Sequence, residues 1–208
     1  MKLYTNPFSP NARKVTMTAR ILGIALDEQM VNLMTGEQRR PEFLRLNPNG
    51  LVPVLEDGDF VLWESDAIMQ YLASRVPGNT LWPDDPAVRA DITRWQCWDL
   101  AHWAPACGVF LYENFLKQLL QGGGPNAGEV HRGEEKFRAI AEILNRHLAA
   151  RDFLVGQGLT LADLSVAAYL MYAKPARIPL DEHDHIKRWF GRIQQLEAWK
   201  QTEPPMLG

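Results

Sequence analysis

The apolar positions of residues 1–77 change period repeatedly, and each change marks an element. Residues 2–5, KLYT, form a short strand candidate. PNARKVTMTARILGI follows with Val15, Met17, Ile21, Leu22 and Ile24 at roughly helical spacing, and Gly23 supplies the stop. ALDEQMVNL alternates apolar and polar residues as a half-buried strand does, the stretch MTGEQRR is polar, and PEFLRL reads as a short helix. After the turn NPNG, the run VPVLEDGDFVLWES holds two apolar segments joined at Asp57-Gly58, the local signature of a hairpin. The helix candidate DAIMQYLASRV closes the series at Pro77-Gly78. Residues 1–77 therefore spell β-α-β-α-β-β-α, an α/β domain with strands of mixed direction and helices packed on the sheet.

Beyond Pro77 the pattern changes. PGNTLWPDDPAV, rich in Pro, Gly and Asp, reads as a linker over 78–86, and everything after it has helical period. A segment from 87 to about 120 carries Trp95, Trp98 and Leu100, and Gly122 to Gly128 interrupts it. EVHRGEEKFRAIAEILNRHLAA then places Phe137, Ile140, Ile143 and Leu144 on one face. LTLADLSVAAYLMYA and HIKRWFGRIQQLEAWK supply two more helices, so residues 87–208 read as an all-α helical bundle. Thr160 followed at the third helical position by Asp163 is a variant capping box, with Leu159 as a staple. Such a cap contributes about 1 kcal/mol and needs no ligand to explain it.

Composition narrows the function classes. The chain has 208 residues, of which 46% are hydrophobic, enough for a substantial core. A net charge of −3 gives no basic footprint for nucleic acid or an anionic membrane. No apolar run approaches the length of a membrane span, and MKLYTNPFSP turns polar too early for a signal peptide, which together predict a cytoplasmic protein. Cys97 and Cys107 lie ten apart on one predicted helix, about three turns, beyond disulfide reach, and are expected as reduced core thiols.

Three places carry candidate chemistry. Ser9 before Pro10 is a good helix cap. The same helix start presents free N–H groups and a positive dipole end, so a hydroxyl there can donate to a ligand thiolate. Val52-Pro53 begins a strand. The base preference of such a bond is trans, whereas a cis bond would leave Val52's N–H and C=O open to an extended peptide. Glu64 and Ser65 offer an acceptor for an ammonium beside N–H groups for a carboxylate, with Ser65 as the cap of the helix that follows.

Ser9-Pro10-Asn11 with Arg13, NPNGLVPVLEDGDFVLWES, ESDAI and TLADLSVAAYL, in this order and spacing over nearly the whole chain, resemble the glutathione transferases. The resemblance implies a thioredoxin-like N-terminal domain, an all-helical C-terminal domain, and a homodimer with the active site near the subunit interface. It makes Ser9 the residue that stabilises the glutathione thiolate, with Asn11 the second candidate. Val52 would pair with the cysteinyl backbone beside a cis Pro53, Glu64 and Ser65 would hold the γ-glutamyl end, and Gln38 and Arg39 would face the glycyl carboxylate. Leu51 departs from the pattern, since Gln or Lys commonly stands there and contacts glutathione.

For a small hydrophobic electrophile the aromatic stretch RWQCWDLAHWAPACGVFLYENF is the expected source. Most of it should be core, by its spacing, but Trp103, Phe110 and Tyr112, with Phe8 from the first loop and a kink at Pro105, are the pocket candidates. His102 resembles a histidine that faces the active site in some bacterial classes. No metal is expected: EHDH, residues 182–185, reads as a solvated turn, and RGEEKFR as an exposed helical face. No cofactor is expected either, glutathione being a co-substrate. Three functions fit: conjugation of glutathione to an electrophile, reduction of a disulfide or peroxide by glutathione, and a non-catalytic binding module.

Overall fold

The computed structural model of the chain describes residues 1–204. Four short strands, β1 (Lys2–Thr5), β2 (Asp27–Met30), β3 (Val54–Asp57) and β4 (Phe60–Trp63), form one sheet in the order β2-β1-β3-β4. β1 runs parallel to β2, with Lys2 opposite Asp27, and antiparallel to β3, with Leu3 opposite Leu55. The parallel pair requires a crossover, which is helix α1 (Pro10–Ile21). It ends as its sequence dictates: Gly23 takes φ 67°, and the N–H of Ile24 reaches back to Ala19. The β3–β4 hairpin turns at Gly58, also left-handed.

β2 is shorter than the alternation of 25–33 predicts, and the polar stretch after it contains a 3₁₀ turn, Glu37–Arg39, before helix α2 (Pro41–Leu46). Helix α3 (Ser65–Ser74) starts one residue earlier than the pattern implies. Ser65 is thus inside the helix, and Glu64 holds the cap position with its backbone at φ 72°. That corrects the reading of Ser65 as the cap.

The helical part begins with α4 (Pro86–Trp98), capped by Asp85, whose carboxylate accepts from the N–H groups of Ala87 and Val88. It continues without a break through α5 (Ala104–Leu111) and α6 (Lys117–Gln121) by way of two π-helical turns, Asp99–Trp103 and Tyr112–Leu116. The first π turn ends two residues before Pro105. A proline lacks the N–H and crowds the carbonyl four residues back, and a widened turn accommodates both. Then follow α7 (Ala127–His147), α8 (Leu161–Ala168), α9 (Asp184–Gln195) and α10 (Glu197–Gln201).

One continuous core joins the two parts. Leu3 and Leu55 of the sheet, Val15 and Met17 of α1 and Leu72 of α3 pack in the same cluster as Leu164 of α8 and Trp189 of α9. A smaller cluster, with Ala12, Phe43, Val52 and Val54, lies under α2. Two polar devices fasten the joint. Arg13, buried in α1, donates to the Trp199 carbonyl at 2.8 Å and Thr202 Oγ1 at 3.2 Å, with its guanidinium 3.9 Å above the Trp199 ring. Burial lowers its pKa to about 10, so it stays charged.

Asp163 does more than close the capping box. Its carboxylate accepts from the N–H and hydroxyl of Thr160, the Leu154 N–H at 2.8 Å and the Trp189 indole at 2.9 Å, tying α8 to the preceding loop and to α9. Of the two free thiols, Cys107 is buried as expected but Cys97 is exposed, because it falls on the outer face of α4 opposite Trp95 and Gln96. His183 of the EHDH turn is buried rather than solvated, while RGEEKFR is exposed apart from Gly133 and Phe137.

Candidate functional site

The first turns of α1 and α3 meet at a cleft whose walls include Asn11, Leu51, Val52, Pro53, Glu64 and Ser65. Each reaches it for a local reason. Asn11 sits at the second position of α1, after Pro10. The loop before β3 is shaped by Asn47, which donates to the Leu51 carbonyl at 2.8 Å and accepts from the Asn49 N–H at 3.0 Å. Val52-Pro53 is a cis peptide, as the resemblance implies and against the base preference of such bonds. Among the described residues no backbone group pairs with the N–H or C=O of Val52.

Among the described residues, Glu64 is one of two non-glycine residues with a positive φ in the left-handed region. Such a conformation costs of order 1–3 kcal/mol and is characteristic of functional sites. It turns the chain so that the exposed Glu64 side chain and the buried Ser65 flank the start of α3, whose first N–H groups have no intrahelical partner. The Ser65 hydroxyl lies 3.5 Å from Asn11 Oδ1, which links the two helix starts.

Ser9 stands two residues ahead of Asn11 as the cap of α1. Its Oγ accepts from the Ala12 N–H at 3.3 Å, and its N–H donates to the Asn6 carbonyl. A hydroxyl that accepts in a cap still has its own proton to donate. Gln38 and Arg39 lie at the rim: Arg39 Nη1 donates to the Asn49 carbonyl at 3.1 Å, and the Gln38 amide reaches the Leu33 carbonyl at 3.4 Å. Leu51 is 58% exposed beside them.

The aromatic candidates separate. Trp103 and Phe110 are fully buried, both against Phe137, and the Trp103 indole donates to the Val166 carbonyl. They are core and line no open pocket, a correction that follows from the helix face they occupy. Phe8, Tyr112 and His102 are exposed. Two aromatic residues that periodicity did not single out lie close to the Ser9 loop: Tyr172, whose hydroxyl donates to the Phe8 carbonyl at 2.5 Å, and Phe115, whose ring centroid is 5.5 Å from that of Tyr172. Both come from elements distant in sequence, and a local pattern carries no signal for such an approach.

Beneath the cleft lies a buried charge cluster. Lys14 Nζ is 2.9 Å from Asp66 and 3.6 Å from Asp99, with Lys14 and Asp99 entirely shielded from solvent. Asp66 also accepts from Ser165 at 2.7 Å and Gln96 at 3.2 Å. Burial pushes the Asp99 carboxyl up to about 7 despite Lys14. Burial pulls Lys14 down, but the two carboxylates outweigh it and hold its pKa above the usual value. Among the described residues no group of three or more His, Cys, Asp or Glu side chains could hold a metal ion.

With this geometry in view, similarity to known proteins is informative. Family models described as glutathione S-transferase N-terminal domain and glutathione S-transferase C-terminal domain match residues 3–80 and 127–192. The chain is 34% identical over 207 residues to glutathione S-transferase 3 of Zea mays, covering 97% of this chain and 92% of that one. It superposes on the crystal structure of glutathione transferase F7 from Populus trichocarpa with a TM-score of 0.88 at 28% identity, over 97% of this chain and 96% of that one. It also superposes on a structure of glutathione S-transferase-I bound with lactoylglutathione, with a TM-score of 0.86 at 27% identity and 97% of each chain covered.

Proposed function

This chain belongs to the glutathione S-transferase family, and from that premise we propose that it activates the thiol of glutathione as a thiolate and conjugates it to a small hydrophobic electrophile. The observation that carries the reading is the cleft between the starts of α1 and α3, where Asn11, Val52, Pro53, Glu64 and Ser65 converge. The tripeptide has an ammonium, two carboxylates and a thiol, and each has a partner there. Glu64 accepts from the ammonium, Ser65 and the first N–H groups of α3 hold the γ-glutamyl carboxylate, Val52 pairs with the cysteinyl backbone, and Arg39 and Gln38 face the glycyl carboxylate.

The sulfur then lies at the start of α1. The Ser9 hydroxyl donates to it and the helix terminus favours its negative form, with the Asn11 amide close by. The thiol proton passes to solvent. The thiolate forms a carbon–sulfur bond to the electrophile, and the leaving group departs with its electron pair. The remaining candidates for the acceptor's surface are the exposed Phe8, Tyr112 and His102.

The same proposal divides the chain into a glutathione-binding unit, 1–77, and a helical unit, 87–208, joined by 78–86. It makes the protein a homodimer through the exposed apolar edge of β4, where Phe60, Val61 and Trp63 face outward. It places the protein in the cytoplasm, where an exposed thiol such as Cys97 stays reduced.

The test is a calorimetric titration with glutathione together with conjugation of a simple aryl halide. Binding is expected, and Ser9→Ala should lower the rate at least about tenfold, the loss of one preorganised donor. No heat at millimolar glutathione, or an unchanged rate in Ser9→Ala, would contradict the proposal.

A further inference from the structure

The loop that presents Ser9 is held almost entirely by its own neighbours. The Phe8 N–H donates to Asn6 Oδ1 at 3.0 Å, the Ser9 N–H to the Asn6 carbonyl at 3.0 Å, and the Ser9 carbonyl accepts from the Arg13 N–H at 2.9 Å. Asn6 is itself fixed by its amide on the Val31 carbonyl. The Phe8 carbonyl, which belongs to the peptide plane leading directly into Ser9, has no local partner. It is met from 164 residues away, by the hydroxyl of Tyr172 at 2.5 Å.

We infer that Tyr172 is a positioning residue, whose hydroxyl, by holding the Phe8 carbonyl, sets the direction in which Ser9 presents its own hydroxyl to the glutathione sulfur. The inference rests on the proposed thiolate role of Ser9. Rotation of the Phe8–Ser9 peptide would turn the Ser9 Cα–Cβ bond with it. The exposed Phe8 ring offers little packing to resist that rotation. The Tyr172 ring, in contrast, is buried and packs against Phe115, so its hydroxyl is a fixed point. Burial raises the phenol to about 12, and it remains a donor throughout the neutral range.

The same segment brings Tyr169 close to Asn11. The helical part thus reaches both the loop before Ser9 and the surroundings of Asn11. A merely structural hydroxyl would change stability and leave the thiol's acidity alone, whereas a positioning hydroxyl acts through Ser9 and changes acidity.

The test is a double-mutant cycle of wild type, Tyr172→Phe, Ser9→Ala and the double variant. The readouts are the pH profile of kcat/KM for an aryl halide and the thiolate absorbance of the glutathione complex. Tyr172→Phe is expected to lower kcat/KM about tenfold near pH 6.5 and to raise the apparent thiol pKa by about one unit. In the Ser9→Ala background it should cost less than about twofold, because the interaction it serves is already gone.

An unmoved pH profile, or the same tenfold loss in both backgrounds, would overturn the inference while leaving the Ser9 assignment intact. A silent Ser9→Ala in an active enzyme contradicts the assignment itself and overturns this inference with it. Tyr172→4-methylphenylalanine, which fills the volume of the hydroxyl without a donor, should reproduce the phenylalanine result even if Tyr172→Phe does not fold. Tyr172→4-aminophenylalanine, which restores a donor of the same reach, should recover at least about fivefold of the loss. Failure of either, in folded protein, also counts against the inference.

Discussion

Lys14→Met removes the cation from a buried cluster and leaves Asp66 and Asp99 facing each other across the space it occupied. Lys14 and Asp99 have no solvent-accessible side-chain surface, and the lysine lies 2.9 Å and 3.6 Å from its two carboxylates. Breaking a buried pair by removing one partner costs about 3–5 kcal/mol when the remaining charge cannot be neutralised. Here it can be neutralised, and the cost therefore depends on pH. In the wild type, burial raises the Asp99 carboxyl to about 7 from an ordinary 3.8. A raised acid favours the folded state when protonated, so this contribution is fully present below about pH 4 and is lost as pH rises through 7.

Without Lys14 the Asp99 carboxyl rises further, because the one nearby charge that lowers it is gone. Between pH 8 and pH 6 the wild type gains about 1.4 kcal/mol from a carboxyl near 7, and the folded variant, whose carboxyl lies higher, gains more, up to the full slope of about 2.7 kcal/mol over two pH units. The penalty of the substitution should therefore shrink from pH 8 to pH 6, by up to about 1.4 kcal/mol. Urea unfolding of both proteins at the two pH values measures it. A penalty that is equal at both, or larger at pH 6, would refute the reasoning.

Three further outcomes follow from particular contacts. Gly50 has φ 61°, and a Cβ there would lie 2.8 Å from Arg39 Nη1 and 3.0 Å from the Gln38 carbonyl, so Gly50→Ala should raise KM for glutathione several-fold in steady-state kinetics with a smaller effect on kcat. Leu51→Gln replaces an exposed apolar side chain at the cleft with a hydrogen-bonding one and should tighten glutathione binding by about 1 kcal/mol in calorimetry. In a thiol-labelling assay Cys97 should react rapidly in the native protein and Cys107 only after denaturation, since burial and the nearby Asp99 carboxyl hold its thiol well above the usual range.

Much of the architecture was legible in the sequence because it is written locally. The short strand KLYT, the stop at Gly23, the hairpin at Asp57-Gly58 and the cap at Thr160 and Asp163 each depend on residues a few positions apart, and each appears in the structure. Features set by tertiary contact were not legible. The stretch from 95 to 112 is apolar on more than one face, and periodicity cannot tell which aromatic faces a pocket. Trp103 and Phe110 turned inward onto Phe137. The π turns around Pro105, which rotate those faces, left no pattern of their own.

The cleft shows the same division. Asn11, Val52, Pro53, Glu64 and Ser65 lie in short motifs near helix or strand starts, where residue type constrains backbone geometry. Lys14 reads in sequence as one more polar residue of α1, and its burial depends on carboxylates from α3 and the first π turn. Tyr172 reads as core at helical spacing, and only the assembled fold shows its hydroxyl on the Phe8 carbonyl.

The central claim, that the start of α1 stabilises a glutathione thiolate through Ser9, is tested most directly by titrating the thiol in the complex with glutathione and following its ultraviolet thiolate absorbance. The account predicts a thiol pKa about one to two units below the free value of about 8.5 in the wild type, moving back toward that value in Ser9→Ala. A thiol that titrates near 8.5 in the wild-type complex, or a lowered pKa that survives Ser9→Ala and is abolished by Asn11→Ala, would contradict it.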